Sequence, residues 1–383
     1  MNRTFWVDKS VFVTGHTGFK GGWLSLWLKL MGASVVGYAL EPAHHPCLFH
    51  QARVGHEMNS VLADVRDADK LRQAMAESSP ELAFHFAAQP LVRASYKNPS
   101  ETYATNVMGT VNFLEAVRQT PSIRVAIVVT SDKCYENLES QRGYREEDAM
   151  GGSDPYSSSK GCAELVATSY QRSFFNDSRV ALATVRAGNV IGGGDWAADR
   201  LMPDLVRAFS AGEALKLRYP RAVRPWQHVL EPLRGYLMLA ERLWNEGNAY
   251  SGGWNFGPSQ EDARPVLDVV RTSAKLWGDG AEWRVDAADS PREANLLRLD
   301  CTRANRFLGW TPAMRLEDTL EWTIAWYRAC IAGDIDMRRF TEEQLKRYET
   351  LCEEPLAPEM APILPFARST RHGAEQPEAG VAP

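Results

Sequence analysis

The sequence predicts an α/β fold, a Rossmann-type doubly wound parallel sheet with a smaller, interleaved C-terminal domain. Three observations predict it. A strand, a glycine turn and a helix follow one another over residues 10–31. Continuous apolar strands then alternate with helical segments as far as about residue 185, the pattern of a parallel sheet covered on both faces. Beyond about Gly192 the texture changes, and Pro, Trp and Arg become frequent.

The opening unit carries the first functional signal. Ser10 to Thr14 is apolar and β-branched and reads as a buried strand. Glycines follow at 15, 18 and 21, and then Trp23, Leu24, Leu26, Trp27, Leu28 and Leu30 run without Pro to Gly32. Gly15 permits a tight turn, Gly18 lets backbone approach a pyrophosphate, and Gly21 lets helix pack close on strand. The loop Gly15-His16-Thr17-Gly18-Phe19-Lys20-Gly21 is therefore the expected dinucleotide contact, with the helix N-terminus turned to the anion. Its spacing is G-x-x-G-x-x-G, not the usual G-x-G-x-x-G.

Composition bounds the rest. The chain has 383 residues, 44% hydrophobic and 24% charged, with net charge −5. That balance describes a globular protein and argues against non-specific nucleic-acid binding. No apolar stretch has membrane-spanning length, and no signal peptide is expected. The six cysteines (47, 134, 162, 301, 330 and 352) are scattered. Reduced thiols in a cytosol are expected, and no metal site, since none shows zinc-ligand spacing. For the twelve Trp, burial is the simplest reading and stacking on a ligand the sharper one.

In chain order, residues 33–39 form the second strand. A dinucleotide fold usually carries Asp or Glu near its tip for the adenosine ribose. Here Glu41 lies just beyond, as a solvated charge or a shifted ribose contact. No Arg sits there for a 2′-phosphate, so NAD is favoured over NADP. The run 60–67 reads as strand to turn. Asp64 caps the next helix or, with Val65, faces the adenine edge. Residues 82–90 form a strand ending in small residues, Ala87 and Ala88, before Gln89, where backbone passes close to a cofactor. His85 is a packed core histidine. Ser100 to Arg118 reads as a helix with Ser100 as N-cap. Residues 124–130 and 180–185 add strands, and Trp254 to Gly257 returns to the main sheet. The division expected is 1–190 for the dinucleotide, 191–352 mainly as the smaller interleaved domain, and 353–383 as a disordered tail.

Two segments carry chemistry. Thr130-Ser131-Asp132-Lys133 ends a strand, where open α/β sheets place their sites. Asp154-Pro155-Tyr156-Ser157-Ser158-Ser159-Lys160 opens a helix. Tyr156 and Lys160 are four apart and share one face. A free tyrosine has a pKa of about 10. A lysine ammonium one turn away favours the phenolate and makes Tyr156 a usable general base.

The combination resembles the extended short-chain dehydrogenase/reductase superfamily and its NAD-dependent epimerase/dehydratase family. Longer motifs are similar to the CDP-sugar dehydratase branch: Gly15 to Gly21, Ala87-Ala88-Gln89-Pro90-Leu91-Val92-Arg93, Thr130 to Tyr135, Asp154 to Ser157, Arg186 to Trp196, and Arg224 to Val229. The resemblance runs from about residue 5 to about residue 350. It implies a tightly held NAD and internal hydride transfer on CDP-D-glucose. Tyr156 takes the C4 hydroxyl proton, a 4-ketone acidifies C5–H, and water leaves from C6. Related dehydratases carry Thr-Asp-Glu at the strand end, where this chain has Ser131, Asp132 and Lys133. The resemblance implies that Ser131 polarises C4–O and Asp132 protonates the departing hydroxyl. Lys133 acts as a neutral C5 base or, as an ammonium, stabilises an enolate. Arg93, Asn189 and Val190 are expected at the substrate. Arg200 and Arg224 are candidates for its pyrophosphate, with surface salt bridges as the alternative.

Two other readings stand beside it. One is an NDP-sugar epimerase or reductase on the same scaffold, which needs no acid such as Asp132. The other is a non-catalytic dinucleotide-binding regulator, which has no use for Ser131, Tyr156 and Lys160. The superfamily resemblance also implies a homodimer or homotetramer, joined through helices at 100–118 and 156–175, and the cysteine pattern a cytoplasmic setting.

Overall fold

The computed structural model describes residues 1–140, 142–285 and 297–353. The expected tail lies outside the described residues from 354 onward.

Six strands alternate with helices through the first half. They are β1 (Ser10–Thr14), β2 (Ser34–Ala39), β3 (Asn59–Leu62), β4 (Leu82–His85), β5 (Val125–Val129) and β6 (Ala181–Arg186). A seventh strand, Gly252–Asn255, pairs in parallel with β6, as the sequence anticipates. The sheet order is seventh strand–β6–β5–β4–β1–β2–β3, all parallel. Strand order reverses between β1 and β4, which makes that crevice the ligand position of an open α/β sheet. All residues of β4, β5 and β6 are buried, which is why these strands read as apolar runs without alternation.

Two apolar layers cover the sheet. One holds Phe12, Tyr38, Leu71, Phe113, Leu114 and Val128, contributed partly by helices α3 (Ala68–Ser78) and α6 (Gly109–Gln119). The larger joins α1 (Phe19–Leu30) to the C-terminal helices Leu230–Glu246, Leu316–Ala332 and Met337–Glu353. In α1, Trp23, Leu24, Leu26, Trp27 and Leu28 have no solvent exposure, so its middle turns are apolar around the helix, as an enclosed segment must be. The Trp23 indole donates to the Gly193 carbonyl at 2.9 Å and the Trp27 indole to Glu349 at 2.8 Å. Burial thus accounts for these tryptophans, with each N–H partnered.

Two helix starts differ from expectation. Asp67, not Asp64, caps α3, accepting from the Lys70 N–H at 3.0 Å. The helix expected from Ser100 begins one residue earlier, as α5 (Pro99–Tyr103), with Asn98 at the cap and Pro99 in the first turn, where proline's fixed φ suits a helix start. A π-helical turn, Ala104–Met108, joins α5 to α6. Two short helices precede α3 and α5: α2 (Leu48–Gln51) after β2, and α4 (Val92–Lys97) after β4. The proposed catalytic residues lie on or beside α7 (Pro155–Tyr170), which Asp154 caps by accepting from the Ser157 N–H at 2.9 Å.

Candidate active site

The glycine turn has the shape its spacing predicts. Gly15 has φ +76°, and a Cβ there would meet the Ala87 nitrogen at 2.7 Å. A Cβ on Gly21 would meet the Gly15 carbonyl oxygen at 2.2 Å. Side chains at either position are sterically excluded. Gly18 stands at the N-cap of α1 without a capping side chain, so the first helical N–H groups have no intrahelical acceptor and can serve an anion. Lys20 comes within electrostatic reach of Arg200, Asp132, Lys160 and Asp195, and its pKa falls to about 8 through burial first and Arg200 second. Cations gathered there suit a dinucleotide diphosphate. The residues present therefore fit NAD at this turn.

Other predicted cofactor residues act on the loop itself. The His16 side chain turns under β2, where Gly37 leaves room for it; a Cβ on Gly37 would meet the ring at 2.3 Å. The imidazole is fully buried and bonded to Ser60 at 2.7 Å, with its pKa lowered to about 4 mainly by burial. Its ring is a packing element, and only its backbone faces the turn's chemistry. The Thr17 hydroxyl donates to the Leu40 carbonyl at 2.8 Å. Phe19 packs toward Gly192. Asp64 is held by Arg66, its carboxylate accepting from the guanidinium at 2.5 and 2.8 Å. The Val65 side chain is buried against Gly109. Ala87 lies against Gly15, with Ala88 beside it, while Gln89 spends its amide on Leu91 and Thr102.

At the end of β5, Ser131 and Asp132 are buried and Lys133 is half-buried. The Ser131 hydroxyl donates to Asp132 at 2.9 Å and accepts from the Lys133 N–H at 3.2 Å. Gly188 makes space for the carboxylate: a Cβ there would meet Asp132 Oδ2 at 1.8 Å. Asn189 follows with φ +48° and Val190 opens a two-residue strand with Gln227–His228. Asp132, Gly188 and Gln227 also border a cavity of about 410 Å³ whose walls include Asp300, Cys301 and Trp310 but not Tyr156 or the glycine turn.

Tyr156 opens α7 with its N–H bonded to Ser95 at 3.1 Å. Burial raises the phenol pKa to about 12; contact with Ser131 lowers it, Asp132 raises it and Arg200 lowers it. These groups therefore converge on the phenol. The Lys160 amine donates to the Val129 carbonyl at 3.2 Å, and its pKa is lowered to about 8 chiefly by burial. The Lys160 amine thus meets the end of β5 from a position one helical turn beyond Tyr156.

The predicted arginines separate. Arg200 joins the site, bridged to Asp195 at 2.8 Å. Arg93 pairs with Asp199 at 3.0 Å, and Asp199 also takes Arg218 at 3.1 Å. Arg224 lies on another ribbon, opposite Arg264.

Three further residues hold the site, the third being Arg186, which opens the Arg186 to Trp196 motif without a role read from it. Asn106, in the π-helical turn, bonds the Gln89 N–H at 2.8 Å, the Gln89 carbonyl at 3.1 Å and Ser159 of α7 at 2.8 Å. Glu164 and Arg186 form a buried ion pair behind the strand end. Glu164 was accessible in principle, since it lies one helical turn beyond Lys160.

The family profile described as GDP-mannose 4,6 dehydratase matches residues 12–323. The chain belongs to this dehydratase family. It is 53% identical over 353 residues to the CDP-glucose 4,6-dehydratase of Salmonella typhimurium, covering 91% of this chain and 98% of that protein. A dTDP-glucose 4,6-dehydratase of Xanthomonas campestris is 25% identical over 328 residues, with 82% and 92% covered. Among solved structures, MoeE5 in complex with UDP-glucose and NAD is similar at TM-score 0.69 and 26% identity, with 83% and 98% covered. The UDP-glucose 4-epimerase of Brucella ovis in complex with NAD gives TM-score 0.72 at 21% identity, with 83% and 98% covered, a likeness of fold.

Proposed function

We propose that this chain is an NAD-dependent hydro-lyase that converts CDP-D-glucose to CDP-4-dehydro-6-deoxy-D-glucose. The observation that carries the reading is the Ser131–Asp132 pair, a hydroxyl and a buried acid bonded at 2.9 Å beside Tyr156. A redox step at C4 uses the hydroxyl and the phenol; only the loss of water needs the acid. The 53% identity over nearly the full length supports the substrate.

When bound, NAD supplies the hydride acceptor at C4 and the donor at C6. Every other task falls to the chain. Tyr156 accepts the C4 hydroxyl proton while Ser131 hydrogen-bonds the same oxygen. Burial and Asp132 raise the phenol pKa in the free chain; the cationic ring of an oxidised nicotinamide held at the site would favour its ionisation. Lys160, against the Val129 carbonyl, orients the cofactor side of the site. Asp132 protonates the departing C6 hydroxyl. Lys133 handles the C5 proton as a neutral amine, or stabilises the enolate as an ammonium. Lys20 and Arg200 balance diphosphate charge, and Arg93, Asn189, Val190 and Arg224 are assigned to the substrate side.

Exposed apolar side chains support self-association. Tyr103 and Met108, before α6, and Leu165 and Phe174, on and just after α7, are exposed, and these helices are the ones expected to pair in a homodimer or homotetramer. No helix among the described residues is long and apolar enough to cross a membrane. All six cysteines are free thiols, which supports a reducing, cytoplasmic setting. The direct test is to add CDP-glucose and record the alkaline absorbance of a 4-keto sugar. Its appearance is expected; an isomerised or oxidised sugar nucleotide in its place overturns the proposal.

A further inference from the structure

The segment after β2 brings three metal-ligating side chains together outside the site described above. Ligand atoms of His45, Cys47 and His50 all lie within 4.8 Å of one another. Their spacing is His-x-Cys-x-x-His. Counting cysteines alone hides this pattern, because the partners are histidines. The two imidazoles stack at 4.7 Å and 14°, and both are exposed while the Cys47 thiol is buried. Solvent thus reaches the cluster from the imidazole side.

The geometry suits a small tetrahedral ion. Zinc bonds of about 2.3 Å to sulfur and about 2.0–2.1 Å to nitrogen place ligand atoms roughly 3.3–3.6 Å apart. The present separations, none above 4.8 Å, close to that spacing when the two imidazoles turn out of their near-parallel stack toward a common ion. Two imidazoles and a thiolate are donors for borderline-soft ions and unsuited to calcium or magnesium.

We propose that His45, Cys47 and His50 form a surface site for a divalent transition metal, zinc being the best match, with a fourth position for water. Binding forms one metal–sulfur and two metal–nitrogen bonds and releases the thiol proton to solvent; no electron moves. The ion pins α2, a strut behind the glycine turn. Leu48 of α2 lies against Gly22 and Gly194, and Phe49 packs edge-on to His16. The site is structural and separate from the chemistry at Tyr156.

Cobalt(II) titration of the untagged, chelator-treated full chain tests this. One equivalent should bind with a near-ultraviolet thiolate-to-cobalt charge-transfer band, and zinc should displace it. Cys47→Ser should abolish that band. His50→Gln should weaken binding about tenfold or more, the scale on which even outer partners of a metal act. Sub-stoichiometric binding by the wild type, or a band that survives Cys47→Ser, overturns the site. If Cys47→Ser fails to fold, the His45→Gln/His50→Gln pair, both at exposed positions, carries the test: an unchanged cobalt spectrum contradicts the proposal.

Discussion

Glu164 grips the Arg186 guanidinium with both carboxylate oxygens, at 2.9 and 2.8 Å, and both side chains are buried. Glu164 also accepts from Thr130 and from Thr184 at 2.6 Å, and Arg186 donates to the Tyr135 hydroxyl at 2.5 Å. One ion pair thereby ties α7, which carries Tyr156 and Lys160, to the ends of β5 and β6. Burial raises the Glu164 carboxyl pKa, but Arg186 and the two threonines outweigh it and the net shift is downward.

Removing one partner strands a buried charge. Arg186→Met should therefore destabilise the fold by about 3–5 kcal/mol, measured by denaturant unfolding. Arg186→Lys should not restore it, because an ammonium cannot serve Glu164 bidentately and Tyr135 together. The double variant Glu164→Gln/Arg186→Met should recover part of the loss. Equal, additive losses would show that the pair is not coupled.

Tyr156→Phe should retain the fold but lose turnover about a hundredfold or more, since the phenol oxygen is the proposed base at C4. Steady-state kcat checks it. More than about a tenth of wild-type kcat is incompatible with general-base catalysis of the usual size.

Asp132→Asn should block elimination but not oxidation. Single-turnover spectra should show the near-ultraviolet absorbance of reduced nicotinamide building up and persisting. A normal rate of dehydration would make Asp132 a structural residue that fills the space over Gly188.

Much of this site is legible in sequence because its parts are local. The glycine turn needs three spaced glycines, and Tyr156 and Lys160 need one helix turn. What escaped depends on residues distant in sequence. The direction of the His16 ring is decided by Gly37 on the next strand. The place of Asp132 depends on Gly188, which lies 56 residues later by number. The Glu164–Arg186 pair joins a helix to a strand end, and no periodicity marks it. The start of α5 escaped for a local reason: proline at the first helical turn outweighs serine as a cap.

Three buried histidines set an acid limit. Burial lowers the pKa of His16 to about 4, of His85, with help from Lys160, to about 3, and of His228 to about 3. The unfolded chain takes up these protons near the ordinary value of about 6.5, while the folded chain does not. The unfolded state thus binds more protons between about pH 4 and 6.5, and stability must fall as pH falls through that window. With three such groups the slope approaches roughly 4 kcal/mol per pH unit. Urea unfolding across this window checks it; a flat profile would contradict neutral burial of the three rings.

The most direct measurement follows one hydrogen. The proposed cycle is redox-neutral, so the hydride leaving C4 returns to C6 of the same molecule. CDP-glucose labelled with deuterium at C4 should yield product with deuterium in the C6 methyl group, read by mass spectrometry, and no net reduced cofactor. Label lost to solvent, or reduced cofactor accumulating one for one with product, would contradict the account and point to a simple dehydrogenase built on Ser131, Tyr156 and Lys160.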